Sequence, residues 1–313
     1  MSLPIAVVGG GSFGQGLAKA AASGGRQVVL WSRHPDRIEG GDAITATDAW
    51  SDIAAAELVF FAVPSAYVAG VADELGRHLD GSHLLVHVSR GLVGDELATV
   101  SEVLGTRTPC RRVGALAGPL VARNLASGEP GGAIIGSPFP EVVDAVSEAI
   151  GGPRLRVYGT DDVIGVEIAS ALVGLVALAV GYAARLGMGP GALAVLATRG
   201  LAEATRVGEA RRGQSRTFAG LAGAGDLIAA VAGDGRPEIE FGKALAEGAT
   251  ISEAVHRTGA YIEGTALASH VVAFGARHRI QVPLADGIAH LMRGEITAEQ
   301  LTERLMARPA RRE

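Results

Sequence analysis

The chain has 313 residues, enough for about two domains. Its 28 basic and 33 acidic residues leave a net charge of −5, and aromatics make up 4%, which excludes a generally polyanion-binding chain and a stacking platform for single-stranded nucleic acid. One cysteine, Cys110, excludes internal disulfides and a cysteine-ligated zinc cluster and fits a reducing, cytoplasmic compartment, while 48% hydrophobic residues supply a sizeable core.

Residues 1–4 carry no basic region, so the N-terminus does not read as a signal peptide. Apolar runs at 5–8, 27–31, 58–62, 84–88 and 113–117 read as buried strands bounded by turn residues. Residues 13–23, 66–77 and 95–104 between them have helical spacing, and this alternation predicts a parallel sheet covered on both faces. Further strands at 133–135 and 155–157 flank a helix at 140–150. After about residue 161 the strand signals stop, and helices are expected at 163–185, 191–212, 226–231, 239–246, 251–257, 264–278, 285–292 and 298–307. The basic stretch 308–312 reads as a solvated end. Residues 168–184 are uncharged and touch the lower length limit for a membrane span, but they contain glycines and many alanines and lack an aromatic belt or basic flank. A buried helix, and no membrane span, is the expectation.

Gly9-Gly10-Gly11-Ser12-Phe13-Gly14 follows the first strand and opens the first helix, the context in which GxGxxG marks a dinucleotide site. Gly9 permits the tight turn, Gly11 lets the backbone approach a pyrophosphate, and Gly14 lets helix and strand pack closely. The helix N-terminus offers N–H donors to the phosphates. The second strand ends Leu30-Trp31-Ser32-Arg33-His34, with no acid to take a ribose 2′-hydroxyl. Arg33 there favours NADP over NAD by clamping a 2′-phosphate, unless it is a solvated surface arginine. The fold class is therefore α/β: an N-terminal Rossmann-type parallel-sheet domain, residues 1–160, followed by an all-α C-terminal domain, residues 161–313. His83 and His87 would share one sheet face and pack there. With neither HExxH nor a cysteine–histidine cluster, a metal is not indicated.

Ordered blocks along nearly the whole chain resemble the NAD(P)-dependent glycerol-3-phosphate dehydrogenases. They include GGGSFGQGLA (9–18), FFAVPS (60–65), VSRGL (88–92), LAGPLVARNLASGEP (116–130), TFAGLAGAGDL (217–227) and IEG (262–264). The resemblance implies a nucleotide-binding domain ahead of a helical substrate domain. It places Ser12, Phe13, Arg33, Ala122 and Glu263 at cofactor positions and Gly118 in the substrate pocket. It also implies that Asp226 is an active-site carboxylate; on local grounds alone Asp226 equally suits a helix cap.

Departures from the family pattern concentrate at the chemistry. Family SKGL has lysine where this chain has Arg90, and family ALKN becomes Ala171-Leu172-Val173-Gly174, so the lysine that takes the hydroxyl proton is replaced by Val173. Family SRNRRFG, which holds substrate phosphate and cofactor, becomes Arg236-Pro237-Glu238-Ile239-Glu240-Phe241-Gly242, and the serine of GPSFA becomes Leu120. Losing a general base removes roughly 10²–10⁴-fold in rate. Glu238 and Glu240 would repel a phosphate, and Arg236 would offset this if it points inward. Asp226 and Arg90 are left as catalytic contacts, with Gly118 and Arg236 as substrate contacts. Glu167, two turns before Val173, either faces the pocket or sits as a helix-start carboxylate. The expected function is an NAD(P)-dependent oxidoreductase of this family, a homodimer acting on a small-molecule substrate. Its nearest reaction is dihydroxyacetone phosphate/glycerol 3-phosphate interconversion, with that substrate itself disfavoured. The alternative is a catalytically silent nucleotide-binding homologue that senses or scaffolds.

Overall fold

The computed structural model describes residues 4–233, 235–296 and 300. Eight strands form one sheet: β1 (Ile5–Val8), β2 (Val28–Trp31), β3 (Ile44–Thr47), β4 (Leu58–Phe61), β5 (Leu84–His87), β6 (Val113–Ala117), β7 (Gly131–Gly136) and β8 (Leu155–Thr160). Their spatial order is β3-β2-β1-β4-β5-β6-β7-β8, with β6–β7 antiparallel and every other neighbouring pair parallel. Val8 pairs with both Trp31 and Phe61, so β1 ends level with β2 and β4 where the strand order reverses. Ligands of open α/β sheets bind at that crevice.

Helices α1 (Ser12–Ser23), α2 (Trp50–Ala54), α3 (Ser65–Gly76), α4 (Val100–Arg107), α5 (Ala122–Ser127) and α6 (Pro140–Ile150) accompany the sheet. Alternate residues of each strand face opposite sides. Leu58 and Phe60 join Leu17 and Val146 in one core, whereas Val59 and Phe61 join Ile53, Leu75 and Leu104 in the other.

β8 ends at Thr160, and every later described element is helical. These are α7 (Val163–Arg185), α8 (Pro190–Ala210), α9 (Ser215–Ala219), the π-helical turn Leu221–Gly225, α10 (Asp226–Ala232), α11 (Pro237–Ala246), α12 (Ile251–Thr258), α13 (Gly264–His278) and α14 (Pro283–Met292). α7 is long and apolar enough to cross a membrane, but 89% of its most apolar stretch is buried, as a central helix of the second core. It meets α11 backbone to backbone. A Cβ on Gly181 would strike the Ile239 carbonyl, and one on Gly242 would strike that of Leu178.

Every strand and long helix expected from the sequence is present within the described residues. β3, α2, α5, α9 and the π-helical turn were not foreseen. The helix expected from residue 95 begins instead at Val100, because Val93–Ala98 forms a tight loop and Thr99 with Glu102 makes a capping box. Apart from residue 300, the helix expected at 298–307 and the basic stretch 308–312 lie outside the described residues.

Candidate functional site

β1 runs into Gly9, whose φ of +123° and closeness to the Ala62 carbonyl admit no side chain. A Cβ on Gly14 would fall on the Gly9 carbonyl. Both glycines are thus required by the chain's own packing. Gly11 differs: its backbone is extended, at φ −71° and ψ 173°, and a Cβ there would meet nothing within 4 Å. The open space lies over the N-terminus of α1, whose first-turn amides have no intrahelical acceptors and whose first turn holds no acid. This cradle fits a pyrophosphate, which Ser12 and Phe13 would flank. The Ala122 carbonyl, at the start of α5, leans on α1 at Gly16, 2.8 Å from where a Cβ would stand. Arg33 is exposed two residues beyond β2, and Trp31 beside it stacks on Trp50 at 4.0 Å.

Glu263 reaches across from the helical half. Its carboxylate accepts hydrogen bonds from the Ser65 amide at 2.8 Å and from the Ser65 hydroxyl, at the first residue of α3. Burial pushes the Glu263 carboxyl above the ordinary range, and the charge of Glu238 adds to the effect. Tyr67 and Tyr261 meet edge to face beside this link, with ring centres 6.1 Å apart.

Asp226, Arg90, Gly118 and Arg236 come together. Asp226 opens α10 with no exposed surface. Arg236 donates to it through Nη1 at 2.9 Å and Nη2 at 3.1 Å. Arg90 donates through Nη1 at 2.5 Å and also reaches the Gly118 carbonyl at 3.3 Å. No helix cap uses the Asp226 side chain; Gly225 stands at the cap position. Burial alone would raise the Asp226 carboxyl, but the two guanidiniums hold it below the ordinary range. Arg236 does point inward, and its Nε donates to Glu238 at 2.8 Å.

Sequence reasoning grouped Glu238 with Glu240, and the structure separates them. Glu240 pairs instead with Lys243 at 2.8 Å, both partly exposed. Lys19 pairs with Glu39 at 3.4 Å, so neither lysine reaches the cluster. Val173 is fully buried in the helical core, while the bare side of Gly174 faces Glu238, whose Oε1 would lie 3.7 Å from a Cβ there.

Glu167 neither faces the pocket nor begins its helix. It accepts from the Ser101 amide at 2.9 Å and hydroxyl at 2.5 Å, and lies 2.7 Å from His87 Nε2, an ion-pair distance without hydrogen-bond alignment. Ser65 was missed as a site residue, although it closes the quoted FFAVPS block that runs from the end of β4 into α3. Among the described residues no histidine, cysteine and carboxylate group could hold a metal.

The family model described as the NAD-dependent glycerol-3-phosphate dehydrogenase N-terminus matches residues 4–44 and 41–143, and the model of its C-terminus matches residues 162–303. A glycerol-3-phosphate dehydrogenase (NAD(P)+) of Parvibaculum lavamentivorans is 31% identical over 99% of this chain and 98% of its own length. One of Ectopseudomonas mendocina is 34% identical over 97% and 94% respectively. The crystal structure of glycerol-3-phosphate dehydrogenase from Coxiella burnetii has a TM-score of 0.91 at 28% identity, covering 98% of this chain and 99% of that one. Full-length agreement in sequence and fold makes this chain a member of the NAD-dependent glycerol-3-phosphate dehydrogenase family, an oxidoreductase acting on a CH–OH group.

Proposed function

We propose that this oxidoreductase prefers NADP and interconverts a small polar alcohol and its carbonyl compound in the cleft held by Arg90, Gly118, Asp226 and Arg236. The observation that carries this reading is the fully buried Asp226 gripped by two guanidiniums, an anchor that fixes the more accessible Arg90 beside Gly118 between sheet and helices. Gly9, Gly11, Ser12, Phe13 and Gly14 hold the pyrophosphate, with Ala122 and Glu263 lining the same crevice. Exposed Arg33 supports a 2′-phosphate contact. The bound nicotinamide supplies the hydride acceptor or donor.

Residues of the chain orient the substrate and fix charge. Arg90 and Arg236 stay protonated throughout, as guanidiniums do, so they polarise an oxygen without exchanging its proton. With Val173 buried and both lysines paired elsewhere, that proton passes to water or to a carboxylate. Residues 1–160 would bind nucleotide and 161–313 the substrate. We place the protein in the cytoplasm as a homodimer; exposed Leu186 and Val195 support self-association.

The test is NADPH titration by fluorescence, followed by NADPH oxidation with a panel of small ketones that includes dihydroxyacetone and its phosphate. Tight nucleotide binding with turnover of at least one ketone is expected. Binding without any turnover would mark a nucleotide-binding protein that catalyses nothing.

A further inference from the structure

We infer that Glu238 sets the substrate class of this cleft: it selects an alcohol or ketone whose far end is a hydrogen-bond donor, hydroxyl or ammonium, and rejects one ending in phosphate. The inference rests on the cleft being the substrate site.

A phosphate needs free donors and net positive charge. The guanidiniums here supply no net positive charge, and three of the five N–H donors of each are already committed to the protein. Arg236 spends Nη1 and Nη2 on Asp226 and Nε on Glu238, and its side chain is 9% exposed. Its planar fork, the geometry that would grip a phosphate, is already closed on a carboxylate. Arg90 is committed to the same Asp226 and to the Gly118 carbonyl. Two guanidiniums against Asp226 and Glu238 leave no net positive charge, before Glu263 is counted.

The helix end beside them is closed to anions as well. α11 begins with Pro237, which has no N–H to give, and Glu238 follows in its first turn, where the helix dipole would otherwise favour a phosphate, while the charge of Glu240 is paired with Lys243. Glu238 also leaves something unused. Its Oε2 accepts from Arg236, whereas Oε1 faces the bare backbone of Gly174. An ionised carboxylate only accepts hydrogen bonds, so a ligand group meeting Oε1 must donate.

Three ligands sharing a 1,2-diol separate the possibilities: glycerol 3-phosphate, glycerol and 3-amino-1,2-propanediol. Each is titrated calorimetrically into the NADP+-loaded full chain as wild type, Glu238→Gln and Glu240→Gln. Glutamine keeps the acceptor for Arg236 Nε but removes the charge. Wild type should bind glycerol or the amino-diol more tightly than glycerol 3-phosphate, the tighter of the two identifying the terminal group. Glu238→Gln should tighten glycerol 3-phosphate at least about tenfold and weaken the amino-diol, while Glu240→Gln, on the lysine-paired face, should do neither. Unchanged glycerol 3-phosphate affinity in Glu238→Gln, or equal tightening in both variants, would overturn the assignment. So would a wild type that favours glycerol 3-phosphate over both other diols, a result that needs no variant to fold. Failure to bind NADP+ would count instead against the oxidoreductase reading, and the same titrations without nucleotide would still report on Glu238.

Discussion

Arg236 holds Asp226 in a two-pronged grip, Nη1 to Oδ1 and Nη2 to Oδ2, inside a cluster where Asp226 has no exposed surface. Arg90 closes on the same carboxylate from the β5 side of the cluster. Removing one member of a buried pair leaves the other charged and unpaired, a loss of about 3–5 kcal/mol. Asp226→Ala is therefore expected to lower stability by about that amount in urea denaturation at neutral pH. Adding Arg236→Met should cost less than the two single changes summed, because the more deeply buried of the two stranded guanidiniums is then removed.

Glu263 gives a pH signature of the opposite sign to that of an ordinary paired carboxylate. Its pKa is raised in the folded chain, chiefly by burial, so its contribution to stability is full below the ordinary glutamate pKa and is lost as pH rises through the folded value. Glu263→Gln cannot titrate. The melting temperature of the variant relative to wild type should therefore climb with pH from the acid side towards neutrality, and a flat or falling difference would refute the raised pKa.

Two glycines of the same motif should fail in different ways. Gly11→Val places its side chain in open space, so the fold should melt normally while NADPH binding falls below detection. Gly14→Val drives a side chain into the Gly9 carbonyl and should destabilise or abolish the fold itself. Circular dichroism melts with fluorescence titration separate the two outcomes.

The proposed Arg33 contact to a 2′-phosphate would be one charge-assisted hydrogen bond, worth about 1.5–3 kcal/mol. Wild type should bind NADPH more tightly than NADH, and Arg33→Ala should bring the two within a few-fold of each other. Equal affinities in wild type would remove Arg33 from the cofactor site.

Glycerol 3-phosphate oxidation should be absent, or at least about a hundredfold slower than in a relative carrying the family lysine. Val173→Lys alone should recover little, since position 173 is fully buried among apolar side chains and Glu238 still faces the cleft. Joined to Pro237→Arg and Glu238→Asn, it should recover more than the separate changes added together. Lost phosphate contacts raise KM, whereas a lost base lowers kcat, so full saturation curves distinguish the two defects.

The legible parts of this chain were those written in local pattern. Runs such as Leu58–Phe61 read as strands because both faces are buried, and the glycine motif could be placed at a strand-to-helix turn because an apolar run precedes it and a helical pattern follows. β3 escaped notice because Ile44–Thr47 alternates with threonine at a half-exposed edge. The start of α4 was there to be read as a capping box in the three-residue spacing from Thr99 to Glu102, and was not. Long-range polar pairs left no such trace. Ser101 and Glu167 lie 66 positions apart, Ser65 and Glu263 lie 198 apart, and nothing in either neighbourhood names the other. Whether Glu238 or Glu240 met Arg236 depended on the direction of α11, which only its contact with α7 fixes.

That contact also governs how the chain must be made. α7 ends at Arg185, and its partner α11 begins only at Pro237, 237 − 185 = 52 positions later. At about 5–20 residues per second on the ribosome, several seconds pass with an apolar helix finished and its covering helix not yet synthesised. Throughout that interval the nascent chain displays a segment that passes for a membrane span, with small-residue notches of the kind by which helices pair in lipid. Translation rate and chaperone supply across this interval therefore bear on the yield of active protein.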